Sequence, residues 1–256
     1  MAQNYTLGRG KVYLARLTSG VLGGFRYIGN TTEFNLTIED EELPHYSSDE
    51  GVREKDDSVS LEVNRSASIV TDSIAPENVA LFFFGDSSIV TQITVASADE
   101  DFTSIEAGRA YKLGVTASNP AGYFGIDQTG FEVVNGADTL VADTDYIMDF
   151  DTGMIEFVEG STLAADGDDI TVTYAVAAST RERVVSGSQP VEGALRFVSK
   201  NPKGTNSVLY MPSVRIRPNG DYALKGDEWQ SIPLSVEIIK PTGAEAIYRD
   251  GLPAYT

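Results

Sequence analysis

Apolar and polar residues alternate along much of this chain. Phe34, Leu36 and Ile38 interleave with Glu33, Asn35, Thr37 and Glu39, and Val59, Leu61 and Val63 interleave with Ser58, Ser60, Glu62 and Asn64. A period of two is that of a strand with one face in a core and the other in water. Residues 11–17, KVYLARL, and 25–29, FRYIG, flank Ser-Gly-Val-Leu-Gly-Gly and predict a hairpin. One segment breaks the alternation. Ser73 can cap a helix, Pro76 and Glu77 suit its first turn, residues 79–84 are apolar, and Gly85 can stop it. The run Leu81, Phe82, Phe83, Phe84 is too apolar for water and is expected to pack on a sheet.

From about residue 91 the texture changes. TQITV, YKLGV, FEVV, YIMDF, MIEFV and DITVTYAV read as short strands between Gly, Asp and Asn turns. Such spacing predicts a small antiparallel β-sandwich of the Ig-like kind. After about 180 the first texture returns in GALRFVS, SVLYMPSVRIR, DYALK and IPLSVEII, with a turn at Pro218-Asn219-Gly220. The expected fold is therefore mainly β. A host domain of residues 1–90 and 181–256 carries one flanking helix, and residues 91–180 form an inserted sandwich.

Charge sharpens this division. The chain carries 38 acids and 19 bases, net −19. Residues 91–180 hold 16 acids and two bases, net −14, whereas residues 181–256 are net +2. A balance this acidic opposes tight binding to nucleic acid, suits a surface past which DNA slides, and also serves plain solubility. Between the alternating strands lies EDEELPHYSSDEGVREKDD, residues 39–57, in which eleven of nineteen residues are charged. It reads as a long functional loop. No apolar run nears the ~20 residues of a membrane span, and MAQNYTLGRGKVYL lacks a secretory h-region, so folding in the cytoplasm is expected.

Catalytic chemistry finds little support. There is no cysteine, His45 is the only histidine, and no G-x-S-x-G is present. Gly8-Arg9-Gly10-Lys11 lacks phosphate-loop spacing and precedes a strand. The clusters Asp143, Asp145, Asp149, Asp151 and Asp166, Asp168, Asp169 admit a calcium reading, but turn chemistry explains them more simply. Trp229 is expected to anchor a strand edge, and no basic patch with interleaved aromatics is expected.

Residues 31–85, a strand, a charged hairpin loop, a returning strand and a helix with Ala75-Pro76-Glu77-Asn78, resemble the tail tube proteins of tailed bacteriophages. Residues 207–238 resemble the closing strands of that family, and DTDYIMDFDTGMIEFVEG is similar to hairpins of β modules in virion proteins. The resemblance implies a β-sandwich or barrel-like subunit flanked by a helix, a non-enzymatic virion protein with no cofactor and no metal, assembled in the host bacterial cytoplasm. Six copies would form a ring, and stacked rings a tube through which DNA passes without specific binding. Tail terminator, tape measure and distal tail proteins would be its neighbours. Glu39, Asp40, Glu41, Glu42, His45, Tyr46, Asp49, Glu50, Arg53, Glu54, Lys55, Asp56 and Asp57 would stack the rings. Glu33, Asn35, Thr37, Ser58, Ser60, Glu62, Asn64, Ser235 and Glu237 would face the lumen. A β-sandwich adhesin or carbohydrate-binding module is the alternative.

Overall fold

The computed structural model describes residues 5–49 and 51–252. Strands take 55% of the chain and helix 3%, so the fold is mainly β. In chain order the elements begin with β1 (Gly10–Thr18), β2 (Val21–Leu22), β3 (Arg26–Tyr27), β4 (Thr31–Ser47), β5 (Glu54–Thr71) and helix α1 (Pro76–Phe82). There follow β6 (Asp86–Gln92), β7 (Val95–Phe102), β8 (Ala110–Lys112), β9 (Ile126–Asn135), β10 (Asp138–Thr139), β11 (Tyr146–Asp149) and β12 (Met154–Phe157). The last are β13 (Ile170–Val176), β14 (Ser179–Val185), β15 (Val191–Ser199), β16 (Ser207–Pro218), β17 (Ile232–Ile238) and β18 (Tyr248–Gly251). Two compact units result, Met1–Ser88 with Arg183–Thr256, and Ile89–Glu182. The strands that lead out and back, β6 and β14, pair with each other.

The split unit is one nine-stranded sheet in the order β2-β1-β15-β16-β17-β5-β4, with β3 and β18 added beside β1 and β16. Every pairing in it is antiparallel. The sheet curls over its core. Phe34 on β4 stacks on Phe197 of β15, centroids 5.2 Å apart, although four strand-to-strand steps separate them along the sheet. Ile69, Leu195, Met211, Ile216, Leu234 and Val236 fill the space between. The outward faces of its two ends therefore look in opposed directions.

The helix differs from expectation. Its N-cap is Ala75 without a side-chain cap bond, and Ser73 instead lends its carbonyl to Asn78 Nδ2 at 2.9 Å. It stops at Phe82, and Phe84 rather than Gly85 takes the left-handed conformation, φ 55°. Gly85 is required for space. A Cβ there would lie 1.7 Å from the Val185 carbonyl oxygen. Leu81 is buried in the core, whereas Phe83 is exposed.

Several expected strands also shift. Within 25–29 the ladder covers just Arg26–Tyr27, and Val21–Leu22 inside the expected turn is itself a strand on β1. DYALK, residues 221–225, forms no strand. TQITV is broken after Gln92, because the Gln92 side chain turns inward to bond Phe124 O, Phe124 N and Ala177 O. Of YKLGV, just Tyr111 and Lys112 are strand. Trp229 is 96% exposed on a loop and anchors no strand edge.

The second unit packs a four-stranded sheet, β10-β9-β13-β7, and a three-stranded sheet, β11-β12-β8, around one core. Phe157 and Ile155 from the smaller sheet meet Val133, Ile170 and Val172 from the larger, all at 0–1% exposure. Several of its acids are absorbed locally. Asp145 accepts from Ser161 Oγ and Val141 N, Asp149 from Thr152 N, Asp166 from Ala107 N, Asp168 from Ala165 N and Asp169 from Ser104 N. This is turn chemistry of carboxylates on backbone donors.

Candidate functional site

Residues 39–57 are not a loop. β4 runs on to Ser47 and β5 begins at Glu54, so a short turn near Asp49 and Arg53 closes an extended hairpin. Glu50 lies outside the described residues. β17 pairs β5 from Ser66 to Thr71 and no nearer the turn. Beyond that, residues 38–47 and 54–65 are a two-stranded arm, about 30 Å long at ~3.3 Å per residue. Such a ribbon is marginal in water without a partner.

Charge pairs brace the arm. Lys55 Nζ donates to Glu42 Oε2 at 3.2 Å, and His45 Nδ1 lies 2.5 Å from Asp56 Oδ1. The hydrogen bond from Lys55 holds the Glu42 carboxyl below its ordinary range, and the bond with His45 does the same for Asp56. Both acids are solvent-exposed, so these pairs set shape more than stability. Pro44 is tolerated because β4 is an edge strand, pairing with β5 alone among the described residues.

The arm contains a switch of faces. Glu41 stands opposite Glu62 but Glu42 opposite Ser60, which leaves Leu61 as an extra residue on β5. A bulge of one residue inverts the alternation beyond it. Between bulge and sheet, Glu33, Asn35, Thr37 and Glu39 share a face with Glu62 and Asn64. Ser58 and Ser60 are on the opposite face, contrary to the sequence expectation. Ser60 Oγ accordingly donates to Asp40 Oδ2 at 2.8 Å. Beyond the bulge Leu43 and Val59 take the side that is polar nearer the sheet.

The apolar positions were expected in the subunit core, and most are not there. Phe34 packs on the core. Leu36, Ile38, Leu43, Val59, Leu61 and Val63 remain 40–61% exposed; all but Leu36 lie on the arm, which outruns the sheet that would cover them. Full burial of one such side chain contributes about 1.5–3 kcal/mol, so covering all six offers on the order of 5–10 kcal/mol.

The polar face continues across the sheet. Ser68 stands opposite Asn35 and Ser235, and Ser66 opposite Thr37 and Glu237. Glu237 faces Arg215, which faces Glu192. Arg215 Nε donates to Glu192 at 2.8 Å and Arg217 to Glu237 at 3.1 Å. The bond to Glu192 raises the Arg215 pKa further. The face is thus hydroxyl-rich, with two arginines already paired and Glu33, Glu39, Glu41 and Glu62 in excess. Ser66, Ser68 and Glu192 were not anticipated, although the period of two runs straight through Ser66 and Ser68.

At the other end of the sheet the structure corrects a second expectation. Basic and aromatic side chains do interleave: Lys11, Tyr13, Phe25, Tyr27, Arg196, Tyr210 and Tyr248 form one layer. They come from five distant segments, so a scan along the chain passes over them.

The chain belongs to the family described as Protein of unknown function UCP028589, whose model matches residues 5–246. No curated protein matches it.

Proposed function

We propose that this chain is a structural, non-catalytic subunit that assembles with copies of itself, and specifically the tail tube protein of a tailed bacteriophage. The observation that carries the reading is β4. It is a 17-residue edge strand whose outer ladder is unpaired among the described residues, with exposed apolar side chains. A bare edge of this length invites pairing with another chain, and closure into a ring satisfies every edge at once.

In this reading the ring is hexameric and the arm reaches the next ring. The polar face of Glu33, Asn35, Thr37, Glu62, Asn64, Ser235 and Glu237 lines the lumen. Hydroxyls and excess carboxylates let a phosphate backbone pass without being held, and charges beyond ~8 Å are screened at physiological salt. The unit Ile89–Glu182 is an Ig-like decoration that the tube does not need. The virion tail is the place of action, with tail terminator, tape measure and distal tail proteins as further partners.

Electron microscopy of the purified full chain tests the reading. Rings or hollow tubes are expected, and a protein that stays monomeric at high concentration rejects it. In assembled particles, Glu33→Lys with Glu62→Lys is expected to slow DNA release while tubes still form. Unchanged release removes these side chains from the lumen.

A further inference from the structure

Two stretches of this acidic chain contain no acid. Residues 1–32 hold Arg9, Lys11, Arg16 and Arg26, and residues 193–220 hold Arg196, Lys200, Lys203, Arg215 and Arg217. These nine are almost half of the 19 bases. The sheet sets the two stretches side by side. Tyr13 stands opposite both Arg196 and Tyr27, Arg196 opposite Tyr210, and Tyr210 opposite Tyr248. Alternation puts this row on the side away from Leu14, Leu195 and Leu209, which face the core.

The layer is built of cations laid on rings. Lys11 Nζ is 5.1 Å from the Tyr27 centroid, and the Arg196 guanidinium is 4.9 Å from both Phe25 and Tyr210. The ion pairs of this unit engage Arg16, His45, Lys55, Arg215, Arg217 and Lys240, so Lys11 and Arg196 have no carboxylate among the described residues. Asp250, opposite Val208, shares the face but pairs with neither. Phe25, Tyr27 and Tyr248 are 37–40% exposed. An unpaired cation beside exposed aromatic surface suits a ligand that offers carboxylates next to apolar groups.

The arm of the same chain is such a ligand. Residues 39–57 hold nine acids and two bases. Its register places Leu43 and Val59 as an exposed cross-strand pair, with Glu41 and Asp57 neighbouring them on that face. We infer that the acidic arm of one copy docks on the basic and aromatic face of a second copy. The two patches differ, so the contact is head-to-tail and repeats without closing on itself. This rests on the tube reading and names the surface that receives the arm. Nucleic acid fits less well, because the cations already cover ring faces that bases would stack on, and the chain as a whole is net −19.

The test uses the full chain and reads pelletable assembly and tube length at low salt. Lys11→Glu with Arg196→Glu is expected to cut assembly at least tenfold, with a circular dichroism spectrum and melting profile like the parent's. Adding Glu41→Lys and Asp57→Lys to that variant restores tubes. The milder Lys11→Gln with Arg196→Gln gives an intermediate loss. Tubes unaffected by the first pair overturn the inference and leave the tube reading standing. So does a loss that the arm reversal fails to restore. Binding of a single-stranded DNA 20-mer that vanishes in Lys11→Glu/Arg196→Glu while tubes persist assigns the face to nucleic acid. A parent chain that never assembles overturns both readings together.

Discussion

The two units handle exposed chemistry in opposite ways. In Ile89–Glu182 carboxylates end on donors of the same unit: Asp99 and Asp101 accept from Thr173 and Thr171, and Glu100 from Tyr174 Oη and Gly114 N. Its exposed large apolar residues, such as Ile93 and Ile147, are scattered along the chain. Among the described residues, the split unit leaves a row of aliphatics along an arm, an unpaired strand edge and a layer of cations with no carboxylate partner. One unit answers many of its carboxylates with its own donors. The other exposes apolar side chains that its own fold does not cover. A net charge therefore says little about where a protein interacts. The more acidic unit is the self-satisfied one.

The comparison breaks most visibly if the arm is removed. Replacing residues 42–59 by Asn-Gly is expected to abolish assembly while the split unit keeps its fold, read by micrographs and by its melting transition. If tubes form as before, the exposed row has another purpose. The reciprocal change, residues 93–178 replaced by a short Gly/Ser linker, should leave assembly intact. An insoluble product would show that the split unit leans on the insertion.

Phe157→Ala should destabilise the inserted unit by about 3–5 kcal/mol, because a fully buried aromatic leaves a cavity. Calorimetry is expected to move one transition and spare the other. A single merged shift would mean that the units unfold together. Deleting Leu61 is a smaller change. It removes the bulge together with one exposed apolar side chain, and regular alternation then keeps Ser58 and Ser60 on the face opposite Glu62. The split unit should melt within about 1 kcal/mol of the parent, since the arm adds little to its core, while assembly falls.

The smallest effect concerns pH. Burial, and then the hydrogen bond to Glu100, push the Tyr174 phenol well above its ordinary 10.0. A raised pKa means that the stabilisation is complete below about pH 10 and is lost as pH rises through the folded value. The inserted unit should lose melting temperature above pH 10, and Tyr174→Phe should flatten that loss.

Legibility followed the range of each signal. The alternation at 33–39 and 58–64 located two strands because period two is local. It misplaced the partners of Ser58 and Ser60, because a bulge depends on how two strands pair and leaves no mark in either. SADEDF, residues 97–102, is absent from the expected strands yet lies in β7, where Thr171 and Thr173 meet its carboxylates. DYALK has a strand's composition, but no neighbouring strand pairs with it. The charged segment 39–57 looked like a loop since solvent was assumed on both sides of anything so polar. The Lys11 and Arg196 layer was half visible, as an absence of acids in two stretches, but their adjacency belongs to the ladder.

The pairing of β6 with β14 has a consequence for what this scaffold can carry. The chain leaves the split unit and returns to it through one two-stranded stem, so whatever lies beyond the stem acts as a single closed loop. Each doubling of loop length adds only about 0.6 kcal/mol of closure entropy. The stem is therefore a socket: a folded domain of another kind, with its own ends close together, can replace Ile89–Glu182 at little thermodynamic cost. On a repeating assembly, that socket becomes a regularly spaced array for display.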